Sequence, residues 1–230
     1  MKLTLKEKRH ELSNITTFVF TPPEPLSWQP GQYIHYTLPH SDPDDRGIER
    51  WFTISSAPFE QNVQITTRLN AERSSTFKTA LAAMQPGDQI EADAPEGDFV
   101  VTDANRNHIF VAGGIGITPY RSIFAQLNHD NQPINVELLY ANRDENDIPF
   151  KDELEAIAAA HDNFHITYFI GDQKIDEQVL REFGQKLDDP IYYVSGPEPM
   201  SDAFKVTLRE TMGLDKPHSR FDAFPGYPGV

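Results

Sequence analysis

The stretch Val111-Ala112-Gly113-Gly114-Ile115-Gly116-Ile117-Thr118-Pro119 constrains the fold more than any other part of the chain. Ile109 and Phe110 lead into it as a β-forming run, and Ile123, Phe124 and Leu127 follow at helical spacing, so the order is strand, glycine turn, helix. Glycines let a backbone approach phosphate oxygens without Cβ interference, and the helix behind offers unpaired amides and its dipole to negative charge. The same turn also serves wherever a strand must enter a helix through a tight corner. These nine residues alone do not separate the two readings.

The pattern on either side differs. Up to about Thr102, six short β-rich segments (Lys2 to Arg9, Thr16 to Thr21, Tyr33 to Leu38, Trp51 to Ser55, Val63 to Leu69, Gln89 to Ala94) are separated by Pro- and Gly-containing turns, which predicts a small antiparallel barrel or sandwich. One helix interrupts them over Ser75 to Met84, with Phe77, Ala80, Leu81 and Met84 on one face and serines placed to cap it. Beyond the glycine turn, strands over Ile134 to Tyr140, Phe164 to Ile170 and Ile191 to Val194 alternate with helices over Phe150 to Ala160, Glu177 to Lys186 and Pro197 to Thr211. That alternation predicts a parallel sheet covered on both faces. The short polar joint Asp103-Ala104-Asn105-Arg106 is the expected boundary between two domains, 1–104 and 105–230.

Composition narrows the chemistry. The 230 residues contain no cysteine, which excludes disulfides, a cysteine nucleophile, cysteine-ligated zinc and a cysteine-held iron-sulfur cluster within this chain. Against 35 Asp and Glu stand 20 Lys and Arg, a formal charge of −15, which disfavours nucleic acid and anionic membrane surfaces. No apolar run reaches the length of a membrane span, and Met1 to Lys6 lacks a signal-peptide core, so a soluble cytoplasmic protein is expected.

Two clusters in the first half pair charge with hydroxyls. Arg50-Trp51-Phe52-Thr53 opens a strand on which Arg50 and Phe52 share one face and Trp51 and Thr53 the other, either as an ordinary amphipathic strand or as a site for a ligand with a charged end and a flat end. Arg73, Ser74 and Ser75 open the helix, either as a plain cap or as a pyrophosphate cradle.

Six motifs in order, Arg50-Trp51-Phe52-Thr53, Ser74 to Phe77, Ala94 to Phe99, GGIGITP, Leu138 to Arg143 and Ser195 to Met200, resemble the ferredoxin-NADP reductase superfamily of flavoprotein oxidoreductases over nearly the whole chain. The resemblance implies a six-stranded antiparallel Greek-key β-barrel that binds FAD, followed by a Rossmann-like parallel α/β domain for the nicotinamide nucleotide. It gives Arg50 the flavin pyrophosphate, Phe52 (where tyrosine is usual) the ring system, and Thr53 the neighbourhood of flavin N5. Thr66, Thr67 and Arg68 would line the flavin, and Arg73, Ser74 and Ser75 would wrap the pyrophosphate, although Ala71 and Glu72 stand where relatives often carry Gly-Gly. Gly113, Gly114, Gly116 and Thr118 match the nucleotide turn, with Pro119 in the first helical turn. Ser195-Gly196-Pro197 matches a Cys-Gly-Pro motif, with Ser195 replacing the cysteine near the nicotinamide.

Nucleotide preference is read from charge. Gly171-Asp172 stands where NADPH-dependent relatives commonly place a serine and an arginine, so a carboxylate there favours NADH; Arg143 and Lys174 argue the other way, and the resemblance puts Asn142 with Arg143 among the cofactor-binding residues. The aromatic tail Arg220 to Tyr227 implies either a displaceable lid on the flavin, through Phe224 or Tyr227, or a plug between domains. The expected reaction carries hydride from NADH or NADPH to FAD and electrons to a separate acceptor, a ferredoxin-like protein or a small molecule. The charge of −15 disfavours an acidic ferredoxin. A subunit active only with its partner and a non-catalytic flavin- or nucleotide-sensing module are the competing readings.

Overall fold

The computed structural model describes residues 1–69 and 74–224, the side chains of Ala223 and Phe224 excepted. Arg73 and Tyr227, both expected at the site, lie outside the described residues, as does the side chain of Phe224.

The first layer is an antiparallel sheet of six strands: β1 (Lys2–Leu12), β2 (Ile15–Thr21), β3 (Tyr33–Thr37), β4 (Glu49–Thr53), β5 (Val63–Arg68) and β6 (Gln89–Ala92), in the order β4-β3-β6-β1-β2-β5. The sheet curls until its edges meet, the Ser55 amide beyond β4 donating to Gln64 O on β5 at 3.0 Å. Alternation does the folding: Leu3 and Leu5, Phe18 and Phe20, Ile34 and Tyr36, and Val63 and Ile65 all point to one buried core. Helix α1 (Thr76–Ala83) plugs that core with Phe77 and Leu81, and Ser75 is its N-cap, its side chain accepting from the Lys78 amide.

The second layer is a parallel sheet of β7 (His108–Gly113), β8 (Val136–Asn142), β9 (Phe164–Ile170), β10 (Ile191–Pro197) and β11 (Ser219–Phe224), in the order β11-β10-β7-β8-β9. Helices α2 (Thr118–His129) and α3 (Lys151–Ala159) cover one face through Ile123, Phe124, Leu154 and Ile157. Helices α4 (Glu177–Gly184) and α5 (Glu198–Lys205) cover the other through Leu180 and Phe204. Sandwiched strands such as Ile109-Phe110-Val111-Ala112 are therefore apolar on both sides, as the continuous run requires.

Two expectations change. The long helix over Pro197 to Thr211 is α5 followed by a π-helical segment, Val206–Thr211. The tail begins as a strand where none was expected: Ser219–Phe224 is a fifth parallel strand, pairing residue for residue with β10 from Tyr192↔Ser219 to Pro197↔Phe224. Its polar content hid it, because an edge strand gains its stability from a neighbour that the local sequence does not contain.

The layers are bolted together. Arg121 of α2 donates to Ser55 O at 3.1 Å and forms ion pairs with Glu60 in the barrel and Glu153 of α3, while Ser122 Oγ donates to Ser56 O at 2.6 Å. Tyr193 of β10 adds a bond to Val100 O at 2.9 Å. Among the described residues no helix is long and apolar enough to cross a membrane, and no group of three or more His, Asp or Glu could hold a metal ion.

Candidate functional site

The strand order makes a crevice. From the central β7 the chain steps to β8 on one side and β10 lies on the other, so the connections leaving β7 and β10 diverge at their C-terminal ends. The glycine turn sits there as a single tight helical turn, Gly114–Ile117, leading into α2, whose N-terminus has no side-chain cap and no acidic residue in its first turn.

The three glycines do different things. A Cβ on Gly116 would collide with the Ser195 backbone carbonyl, so packing of the turn against β10 requires glycine there, whereas one on Gly113 would meet the Met200 thioether of α5, a flexible side chain. Gly114 alone has a positive φ, +51°, and opens onto space in which no atom lies within 4 Å. Gly196 likewise packs under Met200. Of the three glycines of the turn, Gly114 is the one whose Cβ direction is open. Tyr140 OH holds the turn in place, lying 3.1 Å from Gly114 O and 3.2 Å from Pro149 O. Thr118 Oγ1 donates to Ile115 O at 3.2 Å, and Pro119 is the second residue of α2.

Beside the crevice, buried hydroxyls from both layers converge with a carboxyl. Ser195 is completely buried and Thr53 nearly so, and neither hydroxyl closes a hydrogen bond among the described residues. Asp222 stands in register with Ser195 across the β10 and β11 pair. Its Oδ2 is buried and unpartnered, and burial pushes its carboxyl up to about 6 against the opposing pull of the Thr53 hydroxyl that faces it. Burial raises the phenols of Tyr33 and Tyr120, and the Asp222 charge pushes both further in the same direction. Sequence reasoning missed Asp222 as a site residue. The available signal was one carboxylate inside the aromatic run Phe221 to Phe224, and its meaning depends on a strand pairing that the sequence conceals.

On the barrel, β4 alternates as expected. Trp51 is 57% exposed and stacks on His35 at 4.4 Å, whereas Arg50 is buried. Phe52 packs its ring against Tyr36 and Phe77 at the rim of the barrel core. The Arg50 guanidinium reaches the carbonyls of Arg46, Gly47 and Glu49 through Nη1 and the Asp44 carboxylate through Nη2 at 2.8 Å. Its Nε–H, also buried, has no acceptor among the described residues. Ser75 spends its hydroxyl on the helix cap. The Thr66 hydroxyl is 2.8 Å from both Thr17 Oγ1 and Ser55 Oγ, and Ser55 donates on to Gln64 O, so Thr66 belongs to a relay inside the barrel. Thr67 is buried opposite Thr16 in β2. Arg68 binds Asn14 Oδ1 and Asp147 Oδ2 at 2.7 and 2.6 Å, tying β5 to the loop after β8. Lys78, half-buried and donating to Arg68 O at 3.2 Å, is pushed down to about 8 by desolvation and by Arg46, Arg68 and Arg50. An acidic chain thus gathers four cationic side chains beside the N-terminus of α1.

The far end of the crevice lies past β8 and β9. Asn142 is buried with both amide atoms unpartnered among the described residues, and its carbonyl accepts from the Gly171 amide at 3.0 Å, which brings Arg143 and Asp172 onto adjoining turns. Arg143, Asp172, Lys174 and Pro197 are all exposed.

Residues 110–205 match the family model described as "Oxidoreductase NAD-binding domain". The chain is 26% identical to NAD(P)H-flavin reductase of Aliivibrio fischeri over 97% of its length and 99% of that protein. It is 27% identical to NADH-cytochrome b5 reductase 1 of Emericella nidulans over 92% of its length and 74% of that protein. The ferredoxin-NADP+ reductase of Neisseria gonorrhoeae, solved with bound FAD and NADP, superposes with a TM-score of 0.78 at 18% identity, covering 97% of this chain and 98% of its own, a likeness of fold.

Proposed function

We infer, for a chain that carries an oxidoreductase NAD-binding domain on the fold of the ferredoxin-NADP reductase superfamily, a FAD-dependent NAD(P)H oxidoreductase with an external electron acceptor. The observation that carries this reading is the meeting of Thr53, from the barrel, with Ser195 and Asp222, from the parallel sheet, beside the one glycine of the turn that opens onto free space. FAD, when bound, supplies the hydride-accepting chemistry.

The residues suit such a cofactor. Arg50 keeps a buried Nε–H without an acceptor among the described residues, which a phosphate oxygen would satisfy, and Lys78 and the surrounding arginines supply charge for a pyrophosphate. Phe52 offers an aromatic face, and Thr53 an unspent hydroxyl for a ring nitrogen. Gly114 and the uncapped start of α2 serve the nicotinamide nucleotide's pyrophosphate, with Asn142 and Ser195 along its path. Asp222 holds or gives up a proton next to Thr53. The chain's contribution is therefore positioning and proton control. Two units, 1–104 for the flavin and 105–230 for the nucleotide, NADH over NADPH by the charge of Asp172, and a cytoplasmic setting complete the proposal.

The decisive experiment is an anaerobic visible spectrum of the purified protein before and after NADH in one cuvette and NADPH in another. Bleaching of a flavin band by NADH supports the assignment; a band that neither nucleotide bleaches, or no flavin uptake after reconstitution with FAD, defeats it. Trp51 favours a protein acceptor over a small one, because an exposed tryptophan held by a stacked histidine is a ready docking anchor. Fast turnover with ferricyanide in a Trp51→Ala variant, with loss only toward a protein acceptor, is the matching result.

A further inference from the structure

The loop ahead of β4 places a carboxylate where an anion is wanted. Asp44 Oδ1 accepts from Arg50 Nη2 at 2.8 Å and from the Arg46 amide at 3.1 Å, and its Oδ2 accepts from the amide of Thr76, the first residue of α1, at 3.1 Å. The contact is returned: the Asp44 amide donates to Thr76 Oγ1 at 2.9 Å. Thr76 Oγ1 lies 3.0 Å from His40 Nε2, and His40 Nδ1 lies 2.7 Å from the Leu38 carbonyl, which can only accept. Nδ1 therefore carries the proton, Nε2 accepts from Thr76, and the hydroxyl is fixed to receive Asp44. One side chain thus clasps both the buried arginine and the helix N-terminus.

A second feature points to a ligand at the same place. The Arg50 side chain is only 8% exposed, yet its Nε–H has no acceptor among the described residues, and the Lys78 ammonium, which feels Arg46, Arg68 and Arg50, adds positive charge at the same place. We propose that Asp44 competes with the flavin's pyrophosphate for Arg50 and the start of α1, and thereby sets how tightly, and how exchangeably, this chain holds FAD. The proposal rests on the flavin reading above and deepens it: a chain whose own carboxylate claims phosphate donors is built to release its flavin as well as to bind it.

The test compares flavin-stripped wild type, Asp44→Asn and Arg50→Ala, titrated with FAD and, separately, with riboflavin by fluorescence quenching. Asp44→Asn is expected to bind FAD about tenfold more tightly and to release it more slowly, because one like charge leaves the phosphate's surroundings, while riboflavin affinity stays unchanged. Thr76→Val, which loosens the clasp without altering charge, should shift FAD binding the same way by a smaller factor. Equal or weaker FAD binding by both variants, or an equal shift for riboflavin, overturns the competition. An Arg50→Ala variant that binds FAD as wild type does overturns instead the placement of the flavin on which the proposal stands.

Discussion

Ser195 and Asp222 face each other in register across the parallel pair β10 and β11, at the point where the second layer meets Thr53 of the barrel. Neither side chain spends its polar atoms fully within the described residues. Both belong to a sheet edge whose outer strand is the last element among the described residues.

The Asp222 carboxyl gives a pH signature. Burial raises it to about 6 in the folded protein, above its ordinary value of 3.8. The folded state then binds the proton more strongly than the unfolded state. This contribution to stability is complete below the ordinary value and is lost as pH rises through the folded value. Asp222→Asn should stabilise the protein by about 1–3 kcal/mol at pH 7.5, with the gain vanishing towards pH 4. Urea denaturation at both pH values measures it. NADH-driven flavin reduction should lose an inflection near pH 6 in the same variant.

The Arg121 clamp fixes the angle between the layers. Arg121→Met leaves Glu60 and Glu153 facing each other across a largely buried gap and should cost about 3–5 kcal/mol in chemical denaturation. A loss below 1 kcal/mol would mean that the layers are held by their apolar contacts alone.

The glycine turn predicts a split between two alanine variants. Gly116→Ala drives a methyl into the Ser195 carbonyl and should destabilise by roughly 3 kcal/mol or more. Gly114→Ala carries only the strain of a positive φ, about 1 kcal/mol, but points its methyl into the open crevice. It should therefore raise the KM for NADH while lowering Tm by only about 2–4 °C, and steady-state kinetics beside thermal melts will tell the two apart.

Charge at the adenosine end predicts a change of coenzyme. Asp172→Arg, on an exposed turn beside Arg143, should raise NADPH use relative to NADH several-fold in kcat/KM. An unchanged ratio would remove Asp172 from the nucleotide site.

Much of the fold was legible because period carries it. The alternation in Leu3 to Leu5 and Phe18 to Phe20, the switch to helical spacing after Gly116, and the Ser75 cap each follow from short-range geometry. The motifs single out Arg50, Thr53 and Ser195, and in the structure each has a buried polar atom without a partner among the described residues. The division of labour among Gly113, Gly114 and Gly116 was not, since it depends on where Met200 and the Ser195 carbonyl arrive from β10 and α5.

What the sequence alone determined is local: which segments are strands or helices, where they turn, and which side chains could serve phosphate or flavin. The tertiary structure alone decided what those side chains meet. It recruited Ser219–Phe224 as an edge strand, set Asp222 against Ser195 and Thr53, gave Asp44 to Arg50, and bolted α2 to the barrel through Arg121. The physical reason is range: periodicity and capping act over a few residues, whereas burial, register and charge pairing act between residues far apart in the chain, such as Thr53 and Asp222, separated by 169 positions.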